Sequence, residues 1–401
     1  MTAATVARRV DLGAVERTTL AGWGGVALGI LAFWLALPPL LIRTPIPSLV
    51  VAAGAAGLGV WVLREGKRRL GWGAVAAALF GAIGAIAATQ SGEANLERVV
   101  VWSALTAAML RFATPLVFAA LGGVVSERSG VVNIGLEGMM LVGAFFAIYG
   151  ADVLNGWLGG LLLGMLAGGV LASLHAFFAV TLRADQIVSG FAINFLALGI
   201  TGYIFLHHYG DQGTPDGVPQ VPDITLPIDW IPFFGPALEK LNLLVWVALL
   251  LVLAVWVFVF RTPSGLRLRS VGENPRAAAT VGISVYKTRY LAVIASGVLA
   301  AMGGAFLSIG FVHSFNEGMT AGRGFIALAV VIVGKWRPGA ALVAALVFGF
   351  SQALAQRLPV FSESSATLLQ ALPYVVTLIA VAGLVGRSTP PAADGVPYSK
   401  E

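Results

Sequence analysis

About eleven stretches of roughly 20 apolar residues, parted by short charged or Pro-rich breaks, run through this 401-residue chain, and each is long enough to cross about 30 Å of hydrocarbon as a helix. They lie at roughly 20–42, 46–63, 71–89, 99–125, 131–150, 156–182, 186–208, 243–260, 289–312, 338–356 and 370–386. A twelfth, 324–334, is too short to span alone. Only 11% of residues are charged and 58% are hydrophobic, too little charge to clothe a water-facing surface. The expected fold is therefore an all-α polytopic membrane protein of about 10–12 transmembrane helices. The first run is too long for a signal-peptide core and is followed by further spans, so it reads as a retained helix. Fifty glycines favour close helix packing. The chain has no cysteine, which excludes disulfides, thiolate metal sites and a cysteine nucleophile. A pI near 9.8 would point to nucleic acid in a soluble protein, but loop topology accounts for Lys and Arg here. No nucleic-acid partner is expected.

Two loops flanking one span carry opposite charge. Residues 209–242 hold Asp211, Asp216, Asp223, Asp229 and Glu239 against Lys240, with six prolines keeping the loop irregular. Residues 261–289 hold Arg261, Arg267, Arg269, Arg276, Lys287 and Arg289 against Glu273 alone. The positive-inside bias places the first outside and the second in the cytoplasm. Counting spans backwards then puts Arg183, the Arg64–Arg69 cluster and Arg8, Arg9 and Arg17 inside, with the N-terminus cytoplasmic. Trp23, Trp61, Trp72, Trp102 and Trp157 sit near run ends as interfacial anchors, whereas Trp34 does not.

A short pattern recurs. Gly122-Gly123 precedes Asn133 and Glu137-Gly138-Met139, and Gly303-Gly304 precedes Asn316-Glu317-Gly318-Met319. The spans before the two copies run in opposite directions, as an inverted-repeat transporter requires, while chance similarity in a Gly-rich chain is the rival explanation. Ionisable groups at membrane depth cost roughly 2.5–3.5 kcal/mol on insertion scales, so each must face a path or find a partner. Glu137 follows the Gly-interrupted "SGVVNIGLEG", which reads as a broken helix. It serves either a solute path or a structural pairing. For Arg111, a surface helix over 98–110 with a shorter crossing from Pro115 is favoured over a mid-span position. Asn194 bonds either a polar solute or a neighbouring helix, and His175, beside Gly160, Gly164 and Gly168, reads first as a packing residue. His207, His208 and Asp211 lack the ligand cluster a metal needs. No metal is expected.

The chain carries no phosphate-binding G-x-x-x-x-G-K-[ST], no GxSxG elbow and no HExxH pair. Catalysis within it is not expected. Residues 262–288, "TPSGLRLRSVGENPRAAATVGISVYKT", read as a short helix with Asn274 as N-cap and Pro275 in its first turn, bearing a small-residue surface.

That loop, and "GENPRAAATVGISV" within it, resembles the cytoplasmic coupling region of permeases in the ribose, branched-chain amino acid and nucleoside group of bacterial ABC importers. Three further blocks resemble the nucleoside and simple-sugar permeases in particular. They are "LRFATPLVFAALGGVVSERSGVVNIGLEGMMLVGAFFA" (110–147), "LHAFFAVTLRADQIVSGFAINFLALGITGY" (174–203) and "GRGFIALAVVIVGKWRPGAALVAALVFG" (322–349). The resemblance implies a type II ABC importer-like permease subunit in the bacterial plasma (inner) membrane, importing purine nucleosides by alternating access. Its implied partners are a second homologous permease, an ATP-binding cassette protein that holds ATP and Mg, and an extracytoplasmic substrate-binding lipoprotein. Carried across, Gly272, Glu273, Asn274, Pro275, Ala277, Ala278, Gly282 and Ile283 would contact the ATPase. Asn133, Glu137, Asn194, Asn316 and Glu317 would lie along the substrate path. The expected organisation is an N-terminal extension at 1–98 with about three transmembrane helices, a permease core at 99–386 and a cytoplasmic tail at 387–401. The extension departs from the family pattern, which leaves its role open. A simple-sugar permease is the nearest alternative. A proton-coupled carrier using Glu137 or Glu317 is the rival from composition alone, and it leaves the coupling-like loop unexplained.

Overall fold

The computed structural model describes residues 17–37, 40, 42, 44–90, 101–228, 230, 231, 235–357 and 389–399. The expected span at 370–386 lies outside them. Three helices, α1 (Arg17–Trp34), α2 (Pro45–Arg64) and α3 (Arg68–Gln90), make one compact unit. The second unit begins at Trp102 and contains α4 (Trp102–Glu127), α5 (Leu136–Val153), α6 (Trp157–Ala176), α7 (Gln186–Tyr209), α8 (Leu243–Arg261), α9 (Pro263–Glu273), α10 (Pro275–Thr280), α11 (Val285–Ala305), α12 (Arg323–Val333) and α13 (Pro338–Arg357, up to Gln356). Among the described residues, nine helices are long and apolar enough to cross a membrane. α12, with 11 residues, rises only about 16 Å. It matches the short run expected at 324–334.

α4 is a single continuous helix with Pro115 inside it, not a surface helix followed by a shorter crossing. Lipid-embedded helices tolerate proline when neighbouring groups satisfy the freed backbone. α11 runs antiparallel to α4 at the centre of the unit, and the two Gly pairs explain how they come so close. A Cβ on Gly122 would meet the Ser296 carbonyl oxygen at 2.6 Å, and one on Gly303 would meet that of Pro115 at 2.8 Å. Each helix thus supplies the gap its partner's backbone fills. This reciprocal, antiparallel contact is the geometry an inverted pair demands.

The acidic, Pro-rich loop is more ordered than its composition implies. Strands β1 (Asp223–Thr225) and β2 (Lys240–Asn242) pair antiparallel, with the exposed Lys240 ammonium 3.8 Å from Asp223. The loop docks on the π-helical end of α11, Phe306–Val312. There Val221 donates its N–H to the Ile309 carbonyl at 3.0 Å, using an acceptor that a widened turn displaces from the regular ladder.

Candidate functional site

Between α4 and α5 the backbone leaves the helix for residues 128–135 yet stays in the core, where Ser129, Val131 and Asn133 are fully buried. Non-helical backbone at membrane depth must have its polar groups satisfied by protein. Side chains from three helices do this. The Ser126 hydroxyl donates to the Val131 carbonyl at 2.7 Å. The Gln186 side-chain oxygen accepts from Val132 N–H at 2.8 Å, and His175 Nε2 meets the Val132 carbonyl at 3.2 Å. Asn194 donates to the Ile134 carbonyl at 3.0 Å. A carbonyl only accepts, so His175 Nε2 carries the hydrogen, and in the neutral ring Nδ1 accepts from the Ser189 hydroxyl at 3.0 Å. His175 is therefore the packing residue that its Gly-rich neighbourhood implied. His175→Phe keeps the ring's bulk but orphans the Val132 carbonyl, at about 1–3 kcal/mol. A clearly lower melting temperature of the purified protein is expected, and an unchanged one would count against this assignment.

A second non-helical segment, residues 313–322, precedes α12, and the two broken segments meet through the N-termini of α5 and α12. On α5, Gly138 N–H donates to Asn194 Oδ1 at 2.8 Å, so a residue of α7 caps a helix begun elsewhere in the chain. On α12, Gly322 and Gly324 N–H donate to the two oxygens of Glu137 at 2.8 and 2.6 Å. The carboxylate thereby caps a helix far along the chain and faces the positive end of its dipole. A Cβ on Gly324 would lie 2.4 Å from the Glu137 backbone nitrogen, so the two N-termini touch. Asn133 donates to the Ser296 hydroxyl at 3.0 Å, and its side-chain oxygen Oδ1 is buried with no partner among the described residues.

Asn133, Glu137 and Asn194 thus share one junction. Asn316 and Glu317 do not join it: both are exposed in the segment after α11, with the Glu317 carboxyl carbon 3.8 Å from where a Gly202 Cβ would sit. Two further residues flank the junction. Phe191, one turn before Asn194, and Phe325, next to Gly324, are 43% and 41% exposed, with ring centroids 6.0 Å apart and a 32° tilt. Hydropathy counts each as one more apolar residue in a span. Their closeness to capping residues is the signal that sets them apart.

The basic loop forms two short helices. Thr262 caps α9 by accepting from Gly265 N–H at 3.1 Å, and Asn274 caps α10 by accepting from Ala277 N–H at 3.0 Å, as its position before Pro275 implied. α10 ends in a left-handed Gly282, φ +82°. There Ile283 N–H reaches the Ala278 carbonyl and Gly282 N–H that of Ala279, the paired closure that favours glycine. Gly272 and Ala278 face the chain's own interior, Gly272 against the Arg128 carbonyl and Ala278 with Val271 and Val285. Pro275 and Ile283 are half-buried, while Glu273, Asn274, Ala277 and Gly282 are exposed around Val281, 74% exposed. An open groove of about 660 Å³ beside them is lined by Arg267, Lys287, Ile283 and Leu291, among others.

Residues 105–381 match the family described as branched-chain amino acid transport system / permease component. The guanosine ABC transporter permease protein NupQ of Bacillus subtilis is 42% identical over 322 residues, 76% of this chain and 99% of its own length. The nucleoside ABC transporter permease protein NupC of Lactococcus lactis is 40% identical, over 74% of this chain and 96% of its length. A provisionally named glucose ABC transporter permease protein of Haloferax volcanii, TsgC13, is 38% identical over 68% and 84%. In each of these organisms a second ABC permease protein also matches, at 26%, 24% and 28% identity respectively. No solved structure matches.

Proposed function

We propose that this chain, which belongs to the family of branched-chain amino acid transport system permease components, is one of two permease subunits lining the path of an ATP-driven importer of purine nucleosides. The chain is a multi-pass membrane protein and an ABC transporter permease. The observation that carries the nucleoside reading is the 42% identity along 99% of a guanosine permease. Pairing with a second permease rather than with itself is supported by the paired relatives, one similar and one distant, in each of three organisms. Hydrolysis of ATP, with its Mg, belongs to a separate ATP-binding protein, and a substrate-binding lipoprotein delivers the solute. This chain binds no cofactor of its own.

The site chemistry suits such a solute. A nucleoside is neutral, with a flat base and a polar sugar, so it calls for aromatic faces and hydrogen bonds rather than a fixed charge. The Glu137 carboxylate oxygens are already engaged by two backbone N–H groups at the positive end of a helix dipole. Phe191 and Phe325 present exposed rings beside it for a base to stack on. ATP-driven closure of the partner moves α10, and α11, which follows it in the chain and packs on α4, carries that motion to the broken segments.

A competition experiment tests the substrate. In cells holding the complete system, unlabelled adenosine in excess is expected to suppress uptake of labelled guanosine, while ribose and glucose leave it unchanged. Uptake of sugar but not of guanosine would favour the sugar reading that the Haloferax relative supports.

A further inference from the structure

Residues 389–399 lie against the basic loop. Ala393 donates its N–H to the Gly272 carbonyl at 2.9 Å, at the end of α9, and Ala392 donates to the Glu273 carboxylate at 3.3 Å. The Tyr398 ring packs edge-on against Tyr286, centroids 5.6 Å apart, and the Tyr286 hydroxyl donates to the Tyr398 carbonyl. From beneath, the segment is held by Arg289 of α11, which is 1% exposed. Its Nη1 donates to the Val396 carbonyl at 2.9 Å and its Nε to the Ser129 carbonyl at 3.3 Å. Ser129 opens the broken segment that leads to Asn133 and Glu137. Burying a guanidinium is costly, and here Nε and Nη1 offset part of that cost by joining two backbones with no sequence proximity, while Nη2 is buried with no hydrogen-bond partner among the described residues. The Asp394 carboxyl sits beside this cation, with Glu127 also nearby. Burial pushes it up to about 7 while Arg289 pulls it down.

Taken together, the segment grips the residues leading into α10 with one set of bonds and, through Arg289, the start of the broken segment with another. We infer that residues 389–399 are a coupling strap that carries motion of the α9–α10 pair to segment 128–135, with Arg289 and Ala393 as its positioning residues. This rests on α10 being the ATPase contact. A segment that merely covered apolar surface would need neither a buried arginine nor backbone bonds to both moving parts.

The test uses the complete transporter. Ala393→Pro removes the N–H that reaches Gly272 and leaves the rest of the chain in place. Two readouts are followed: co-purification of the ATPase, and hydrogen exchange of residues 128–135 on adding a non-hydrolysable ATP analogue, which needs no transported solute. The variant is expected to hold the ATPase as the wild type does, but to lose the nucleotide-dependent change at 128–135, with uptake down about tenfold. An unchanged response at 128–135 would overturn the strap. So would loss of the ATPase, since the segment would then be part of the docking face. A wild type that holds no ATPase would instead remove the coupling reading on which the strap stands. Because the chain has no native cysteine, Tyr286→Cys with Tyr398→Cys, joined by a short bifunctional thiol reagent, gives a second check that does not depend on how the proline variant folds. A strap that stays docked through the cycle predicts retained uptake after cross-linking, and blocked uptake contradicts it.

Discussion

Glu137→Ala is expected to reduce nucleoside uptake to background while the permease still accumulates in the membrane. The carboxylate satisfies two N–H groups at the N-terminus of α12, and hydrogen bonds to a charged partner are each worth roughly 1.5–3 kcal/mol. α12 has 11 residues, and a helix that short depends on having its first N–H groups paired. Without it the short helix loses its link to α5, and the two halves of the broken-segment junction come apart. Glu137→Gln keeps one acceptor but turns an NH2 toward a backbone N–H, so an intermediate loss is expected. That graded order separates a cap from a proton carrier, for which Gln and Ala would be equally inactive. Labelled guanosine uptake, normalised to permease in the membrane, gives the answer, and wild-type uptake in Glu137→Ala would refute the capping role.

Ala277→Asp is the second change with a large expected effect. Ala277 is exposed on α10 beside Val281, so nothing among the described residues resists the substitution. The surrounding loop carries Arg261, Arg267, Arg269, Arg276 and Lys287, so the proposed docking calls for an acidic surface on the ATPase. A new carboxylate at the tip would face that surface with like charge and would be desolvated on docking. Uptake is expected to fall at least about tenfold, a loss of about 1.4 kcal/mol or more in coupling, with the melting temperature of the isolated permease unchanged. Gly282→Trp should do more, because Gly282 has φ +82° and a side chain there strains the helix stop as well as the contact. Normal uptake in Ala277→Asp would exclude α10 as the ATPase contact.

The spans were legible because hydrocarbon imposes a length and an apolar composition that little else in a sequence shares. Hydropathy alone does not show the break before α5, which the Gly-interrupted "SGVVNIGLEG" revealed instead. Residues 131–150 form one largely apolar run that holds Asn133 and Glu137, yet helix begins only at Leu136, because apolarity reports depth and not backbone geometry. The trace of the break lay in Gly130, Asn133 and Gly135. Asn133, Glu137 and Asn194 were recognisable as membrane-depth polar groups, but polarity does not say whether a side chain meets solute or backbone. Here Glu137 and Asn194 cap helices and Asn133 bonds Ser296. The roles of Gln186 and His175 follow only from tracing each carbonyl and N–H of 128–135 to its partner. Arg289 read as one more loop cation and is instead the most completely enclosed charge among the described residues, because the segment that covers it, with three prolines and two alanines, gives no hydropathy signal.

The most direct test of ATP-coupled nucleoside import is labelled guanosine uptake into proteoliposomes that hold this chain, its partner permease and the ATPase, with the substrate-binding lipoprotein supplied on its own side. Accumulation is expected only when hydrolysable ATP reaches the ATPase, and not with an imposed proton gradient alone. Gradient-driven accumulation without the ATPase would contradict the account and identify a secondary carrier.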